Sequence, residues 1–216
     1  MHSQGGLYGN ALQAASLGGY ETIVRLLVQH GVDVNAYGGE YGSALQAASY
    51  GGCEKVVQFL IEKGANVHFQ GGSYGNAVQA ALFGGHETIV SLLVEQGVDI
   101  NAHGGVFGCA LQAASCQGYE KIVDLLIEKG VNVHTQGGFF GNALQAASYR
   151  GHERIVSLLL EHGVNVNAYG GTCGSALQAA SSQGHEKIAE LLIEKGANVH
   201  FQAGLHDNAQ IGRAHV

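Results

Sequence analysis

One octapeptide, repeated at a fixed interval, constrains the fold of this chain more than any other feature. "GNALQAAS" occupies residues 9–16 and recurs unchanged at 141–148, and close variants begin at residues 42, 75, 108 and 174. Successive copies therefore start 33 residues apart. A fixed period of this length is typical of a stacked repeat protein, in which each unit packs mainly on its neighbours.

Gly-Gly pairs recur throughout the chain and divide it into six units of equal length. The units are 5–37, 38–70, 71–103, 104–136, 137–169 and 170–202. We expect residues 1–4 to be the tail of a preceding repeat and residues 203–216 to be a degenerate partial seventh repeat or a tail. The chain is then a piece of a longer array.

A second period of 66 residues lies beneath the first. The odd-numbered units end in "DVNAY", "DINAH" and "NVNAY", whereas the even-numbered units end in "NVHFQ", "NVHTQ" and "NVHFQ". This alternation predicts that the copying unit of the array is a pair of repeats.

Each unit is predicted to form two short helices. Small residues at 11–15 favour a first helix that neighbours can approach closely, and apolar residues at 23, 24, 26 and 27 form one helical stripe. Asn10 stands at an N-cap position, whereas Cys109, its counterpart in the fourth unit, should cap poorly. Gly31 is predicted to end the second helix in a left-handed conformation.

The sequence resembles the ankyrin repeat family over residues 5–202. "GHERIVSLLLEHGVNVNAY" at 151–169 and "GHETIVSLLVEQGVDINAH" at 85–103 are similar to the family's second helix and following hairpin. The resemblance implies an all-α ankyrin solenoid of six 33-residue helix-turn-helix units joined by hairpin-like loops. Asn/Ser-Ala-Leu-Gln replaces the family's usual Thr-Pro-Leu-His, and this version resembles arrays attached to fungal signalling proteins of the nucleotide-binding, innate-immunity-like class.

Composition and charge exclude several classes of function. A net charge of −7, with ten Lys and Arg scattered among 17 acidic residues, argues against nucleic acid as a partner. No apolar run approaches the roughly 20 residues of a membrane span, so we expect no membrane partner. The four cysteines lack metal-ligand or disulfide-framework spacing, which favours reduced thiols in a cytoplasmic protein over disulfides.

Neither a metal site nor a catalytic site is predicted, and no cofactor is expected. "HE" pairs at 86, 152 and 185 resemble the start of H-E-x-x-H, but the second histidine is missing in each case. We therefore expect these histidines to cap backbone groups. No nucleophile elbow or phosphate-binding loop is present, and nothing breaks the repetition to form a single catalytic cluster.

The glutamine at the centre of the octapeptide is predicted to point inward. A buried amide must be hydrogen-bonded, and glutamine offers one acceptor and two donors, so it can link its own helix start to the connector of the next unit. The alternative is contact with a ligand. The column comprises Gln13, Gln46, Gln79, Gln112, Gln145 and Gln178.

A column of aromatic residues precedes the glycine of the octapeptide. We expect these rings to form a ladder along one edge, either as structural packing or as a partly exposed binding surface. The column comprises Tyr8, Tyr41, Tyr74, Phe107, Phe140 and, as the exception, Cys173.

Three further columns vary between units while their surroundings do not, and these are the candidate partner-binding residues. The column after Gly-Gly holds Leu7, Glu40, Ser73, Val106, Phe139 and Thr172. The column at the end of the first helix holds Leu17, Tyr50, Phe83, Cys116, Tyr149 and Ser182. The column that ends each unit holds Tyr37, Gln70, His103, Gln136, Tyr169 and, last, Gln202.

The resemblance places these columns on a concave face whose composition is similar to that of an antibody paratope. Exposure to a partner explains their variation, and neutral drift is the alternative. We therefore expect a non-catalytic scaffold that binds another protein or a peptide, within a larger intracellular signalling or innate-immunity-like receptor. The competing hypothesis is a passive spacer. Because neither terminal unit looks like a polar cap, end-to-end self-association is also expected.

Overall fold

The computed structural model describes residue 6 and residues 8–200. The predicted tail at 1–4, the predicted seventh repeat at 203–216, Leu7 and Gln202 lie outside the described residues. The described chain forms helices in pairs, one pair in each unit. The first helices are α1 (Ala11–Leu17), α3 (Ala44–Tyr50), α5 (Ala77–Gly84), α7 (Ala110–Gln117), α9 (Ala143–Arg150) and α11 (Ala176–Gln183). The second helices are α2 (Glu21–Gln29), α4 (Glu54–Glu62), α6 (Glu87–Glu95), α8 (Glu120–Glu128), α10 (Glu153–Glu161) and α12 (Glu186–Glu194).

The first helices begin at the predicted caps. Asn10 Oδ1 accepts a hydrogen bond from Gln13 N at 2.9 Å, and Gln13 Oε1 accepts one from Asn10 N at 2.8 Å. This reciprocal pair is a capping box, and α5 and α11 begin in the same way. Helix α7, which Cys109 precedes, has no side-chain cap hydrogen bond, so the predicted weak cap is confirmed.

The second helices end in a Schellman motif. Gly31 adopts φ = 82°, Gly31 N donates to Val28 O at 3.0 Å, and Val32 N donates to Leu27 O at 3.1 Å. Only glycine adopts this left-handed conformation without a steric cost, so the predicted stop is confirmed. The same two bonds close each of the other second helices.

Short hairpins connect each second helix to the next first helix. Strand β1 (Tyr37–Gly38) pairs antiparallel with β2 (Gly42–Ser43), and β3 (Tyr169–Gly170) pairs in the same way with β4 (Gly174–Ser175). The three connectors between them keep a single antiparallel bridge each. The predicted hairpin-like loops are therefore present.

One hydrophobic core runs along the whole array. It extends from Leu12 in the first unit to Leu192 in the sixth. The alanines of the first helices from α3 to α11 are almost completely buried. Because alanine adds so little volume, neighbouring first helices can pack closely. Each unit therefore places one connector tip and one first-helix end along the same edge of the stack.

Candidate recognition surface

The tips of neighbouring connectors are bonded to one another. Ser73 N donates to Glu40 O at 2.8 Å, Phe139 N donates to Val106 O at 3.2 Å, and Thr172 N donates to Phe139 O at 3.0 Å. We call Glu40, Ser73, Val106, Phe139 and Thr172 the tip row. Val106 and Phe139 are 55% and 51% exposed, Ser73 and Thr172 are exposed, and Glu40 is half-buried.

Glycine is required where these tips approach. Gly72 has φ = 65°, and a Cβ atom built on it would stand 2.7 Å from Glu40 O. Any larger residue would combine backbone strain with a clash against the neighbouring connector. The second glycine of the Gly-Gly pair therefore allows the tip row to form.

The glutamine column joins successive units, as predicted. Gln46 Nε2 donates to Gly71 O at 2.9 Å and to Gly75 O at 3.0 Å, and both carbonyls belong to the next connector. Gln13, Gln79, Gln112 and Gln145 make equivalent bonds and are almost fully buried. These side chains lie inside the stack, where they bond one unit to the next and are not accessible to a partner. Gln178, in the last unit, is exposed.

Two columns that the sequence presented separately interleave in the structure. The Tyr50 ring lies 5.2 Å from that of Tyr41 and 4.9 Å from that of Tyr74, and Phe83 continues the series 5.0 Å from Tyr74. Ring contacts of 4.5–7 Å stabilise beyond the area they bury. We call the whole set the aromatic seam. Its members are Tyr41, Tyr50, Tyr74, Phe83, Phe107, Phe139, Phe140 and Tyr149.

The aromatic seam is both a packing device and a surface. Phe83 is 37% exposed and Phe139 belongs to the tip row as well, whereas Phe140 is buried. Tyr50 and Tyr149 are half-buried between their neighbours. In the aromatic column predicted from the sequence, Tyr41, Tyr74 and Phe107 are half-buried and Phe140 is buried, which favours structural packing at these four rings. The exposed rings of the seam, Phe83 and Phe139, come from the variable columns.

Cys116 departs from the expected exposure of its column. Its side chain is only 1% exposed and packs in a cluster with Phe140 and Ala146, against which Phe107 and Tyr149 also lie. A thiol is a small apolar group, so it fills the position that a ring occupies in other units. Burial raises the pKa of this thiol, although Arg150 beside it acts in the opposite direction. Cys116 therefore cannot present a side chain to a partner.

Two other residues of the column at the end of the first helix differ in exposure. Leu17 is half-buried, and its carbonyl oxygen lies 3.6 Å from Cys53 Sγ. Ser182 is exposed, and its hydroxyl donates to Ala179 O at 2.9 Å.

In the column that ends each unit, Tyr37 contacts a ring outside the aromatic seam. Tyr37 is 75% exposed, and its ring stacks on that of Phe69 at 6.1 Å. Both rings line a cavity of about 240 Å³ that also involves Asn35 and Asn66. Gln70, His103 and Gln136 are exposed and Tyr169 is half-buried. Tyr37 therefore takes part in a ring contact with Phe69 that is separate from the tip row and the aromatic seam.

Two tyrosines of the seam, Tyr41 and Tyr74, have a raised pKa. Burial is the main cause that raises the pKa of Tyr74, and the neighbouring Tyr50 adds to it through charge and hydrogen bonding. Burial and Tyr50 also raise the pKa of Tyr41. At neutral pH these side chains offer hydroxyl groups and apolar faces without charge.

The histidines at the turn between helices cap backbone carbonyls of the preceding unit, as predicted. His86 Nε2 lies 3.0 Å from Tyr50 O, and His152 Nε2 lies 3.1 Å from Cys116 O. His185 Nε2 is likewise 3.1 Å from Tyr149 O. A carbonyl oxygen only accepts, so each ring must carry its proton on Nε2.

A second depression of about 670 Å³ lies on the side of the second helices, and its chemistry is charged. Arg154 pairs there with Glu120 at 3.1 Å. Ser157 Oγ donates to Glu153 O at 3.1 Å, while His152 is engaged with Cys116, so the serine and histidine form no nucleophile–base pair. Within residues 8–200 no group of three or more His, Cys, Asp or Glu side chains could hold a metal ion. No described helix is long and apolar enough to cross a membrane.

The chain is similar to known repeat proteins along most of its length. The family model for ankyrin repeats (three copies) matches residues 2–71, 68–137 and 111–203. Among solved structures, the human ASB11 ankyrin repeat domain is similar with a TM-score of 0.76 and 25% sequence identity, over 90% of this chain and 87% of that chain. No curated protein sequence matches the chain significantly.

Proposed function

Because the chain belongs to the ankyrin repeat family, whose repeats generally mediate protein–protein interactions, we propose that it is a non-catalytic module that binds another protein or a peptide. The binding surface is the tip row together with the exposed rings of the aromatic seam. The observation that carries this proposal is that Val106, Phe139 and Phe83 are exposed along one edge of the stack. Hydrogen bonds between the connector tips join the units along the same edge.

The chemistry of this surface favours an uncharged or weakly charged partner. Glu40 is the single ionisable carboxylate in the tip row, and the seam contributes aromatic faces and tyrosine hydroxyls. Aromatic anchors surrounded by small polar residues are typical of protein-binding hot spots. Six units stacked at about 10 Å span roughly 50–60 Å, which is enough for an interface of standard size.

The wider setting that we propose is a larger intracellular signalling or innate-immunity-like receptor in the cytoplasm. Support for this comes from the octapeptide, which resembles the opening motif of arrays found in such receptors. In that setting the solenoid is the recognition or regulatory segment, and neither an enzymatic activity nor a cofactor belongs to it.

A passive spacer is the competing role. The continuous glutamine column and the bonded tips would make the array a stiff rod whether or not it binds anything. The two roles differ in one respect, because only a recognition module needs the identity of the exposed tip residues.

Site-directed photo-crosslinking separates the two roles. A photoreactive residue at Val106 or Phe139 should capture a discrete protein in cells, whereas the same residue at exposed Gln58 or Lys121, on the second helices, should not. Val106→Ser combined with Phe139→Ser should then abolish capture from a probe at Ser73. Equal capture at all four probe positions, or none at the tips, would support the spacer instead.

A further inference from the structure

Charged side chains are almost absent from the edge that carries the tip row and the aromatic seam. Each unit builds this edge from the segment that runs from its Gly-Gly pair to the end of its first helix. In units two to six these segments contain two charged residues, Glu40 in the second unit and Arg150 in the fifth. The chain has ten Lys and Arg and 17 Asp and Glu in all, so this edge is uncharged except at two places of opposite sign.

Both charges lie next to rings of the aromatic seam. Glu40 belongs to the tip row and directly precedes Tyr41. After burial and Tyr50, the charge of Glu40 is the next cause that raises the pKa of Tyr41, so the carboxylate lies near that hydroxyl. Arg150 is exposed, and its side chain lies beside the Cys116 thiol, which packs among the rings of units four and five. The seam therefore has a carboxylate near one end and a guanidinium near the other.

Neither charge is neutralised within the described chain. All ion pairs among residues 8–200 lie on the second helices, as in the contact of Arg154 with Glu120. Water screens a partly buried charge less than a fully exposed one, so half-buried Glu40 in particular gains from a partner of opposite sign. The carboxylate and the guanidinium are thus both available to a ligand that lies along the seam.

An unbroken series of rings joins the two charges. Centroids of neighbouring rings lie 5.2, 4.9, 5.0 and 5.4 Å apart along Tyr41, Tyr50, Tyr74, Phe83 and Phe107. The last of these rings also packs against the cluster of Cys116. Aromatic faces offer large apolar contact areas, so the stretch between the charges suits uncharged, apolar side chains.

The separation of the two charges sets the length of a ligand that reaches both. Two to three units separate them. Equivalent rings of the second and third units are 5.7 and 6.0 Å apart, and packed helices are about 8–10 Å apart, so the charges lie roughly 12–30 Å from each other. An extended peptide rises about 3.3 Å per residue, so a stretch of about four to nine residues spans this distance.

We propose that the partner of this surface is a peptide segment with a basic side chain at Glu40, an acidic side chain at Arg150 and an uncharged, apolar stretch on the rings between them. The inference rests on the proposed function, because it names the chemistry of the segment that the same surface binds. The rings supply contact area, and the two charges fix the direction in which the segment lies. A segment with the opposite order of charges brings like charges together, so the surface should reject it.

Selection from displayed random dodecapeptides on the immobilised 216-residue chain tests the proposal. Enriched peptides should carry one basic and one acidic side chain in a single order, separated by about four to nine uncharged residues. Glu40→Lys combined with Arg150→Glu should enrich peptides with the opposite order of charges. The matched control, Glu54→Lys with Lys121→Glu, reverses two exposed charges on the second helices and should enrich the same peptides as the native chain.

Fluorescence anisotropy of a labelled, enriched peptide gives the size of the effect. Each single reversal should weaken binding about fivefold or more, because an attraction becomes a repulsion. The doubly reversed chain should regain affinity for a peptide with swapped charges. Glu40→Gln and Arg150→Gln should each weaken binding less, and they keep the test valid where urea denaturation shows that a reversed charge disturbs the Cys116 cluster.

Two results would overturn the proposal and leave the proposed function standing. Enriched peptides could lack the paired charges or bind native and reversed chains equally, which would show that the rings bind without the charges. Alternatively, no peptide could be enriched although a photoreactive residue at Val106 captures a protein in cells. The absence of both enrichment and capture would overturn the proposal and the proposed function together.

Discussion

The joints between consecutive units are of two kinds, which differ in where side-chain hydrogen bonds connect the units. The two positions are at opposite ends of the helix pairs. Where an odd unit meets an even one, an asparagine after the second helix bridges the two connectors. Asn35 Oδ1 accepts from Asn66 N at 2.7 Å, and Asn35 Nδ2 donates to Gly64 O at 3.0 Å. Asn101 and Asn167 accept the equivalent bonds from Asn132 and Asn198.

Where an even unit meets an odd one, the asparagine is replaced by His68 or His134. The described contacts include no side-chain hydrogen bond from these two histidines to the next unit. The side-chain hydrogen bonds between these units lie at the turn between helices instead, where His86 bonds to Tyr50 O and His152 bonds to Cys116 O. The joint between the fifth and sixth units has both devices, since His185 joins Asn167 there.

The asparagine bridges follow the 66-residue period, because the position after the second helix holds Asn in odd units and His in even units. The histidines at the turn between helices do not follow it, since His185 stands in an even unit. The glutamine column and the apolar core are common to both kinds of joint. We therefore expect substitutions in the glutamine column to affect both kinds equally, and substitutions of His86 or Asn35 to affect one kind.

The largest effect is expected in the glutamine column. Gln79→Leu removes the side-chain donor to Gly104 O, and Gln112→Leu removes the donor to Gly137 O, so each should lower the free energy of unfolding by about 1–3 kcal/mol. Urea denaturation measures both. Gln79 lies at an odd–even joint and Gln112 at an even–odd joint, so clearly unequal losses would contradict a common role, and an unchanged midpoint would refute the structural assignment.

The next largest effect concerns the turn between helices. His86→Ala should cost about 1 kcal/mol, because it leaves the partly buried carbonyl of Tyr50 without this donor. Cys53→Ala is the matched change at an odd–even joint, where a weak S–H donor lies 3.6 Å from Leu17 O. Chemical denaturation should show a smaller loss of unfolding free energy for Cys53→Ala than for His86→Ala. The reverse order would show that the hydrogen bond of His86 does not stabilise the joint.

A smaller effect is expected at the connectors, which are more exposed to water. Asn35→Ala should cost about 0.5–1 kcal/mol through the loss of two bonds to the next unit. His68→Ala, at the equivalent position of an even unit, should stay within about 0.5 kcal/mol of the native value. Amide hydrogen exchange at Asn66 gives an independent readout, since its N–H loses its acceptor in the first variant only.

The smallest expected effect is on folding stability at alkaline pH. Because burial raises the pKa of Tyr74, the unfolded chain loses this proton first, so the stabilisation is present below pH of about 10 and declines above it. Tyr74→Phe should therefore reduce the loss of stability above that pH. Tyr119→Phe, at an odd–even joint, removes another ionisable hydroxyl. Burial raises the pKa of Tyr119, and the charge of Glu87 raises it further. Thermal melts of all three proteins as a function of pH compare the two joints, and an unaltered alkaline profile for Tyr74→Phe would contradict the assignment.

Local features were predictable from the sequence because their causes lie within a few residues. Asn10 caps α1 and Gly31 ends α2 through bonds to residues no more than five positions away. The inward direction of the glutamines followed from helical periodicity, and the 33-residue period supplied their partners. The burial of Cys116 was not predictable, because it depends on Phe107 and Phe140 in two different connectors.

The residues of the candidate surface could be identified from the sequence, whereas their arrangement could not. The variable columns were identified by their variation, yet the pairing of Tyr50 with Tyr74 joins positions from different units. The asparagine bridges were missed as contacts, although the alternation of "DVNA" with "NVH" was their signal. Tyr37 was grouped with the tips, and the structure associates it with Phe69 and a separate cavity.

Repetition of one octapeptide was enough to specify the helices, their ends and the inward glutamines, because those depend on short-range bonding and on the helical period. The side of the molecule on which each variable residue lies was settled only when the units stacked. Stacking brings together residues such as Cys116 and Phe140, or His86 and Tyr50, that are 24 and 36 positions apart. The edge that carries the tip row and the exposed rings of the aromatic seam exists only at that level.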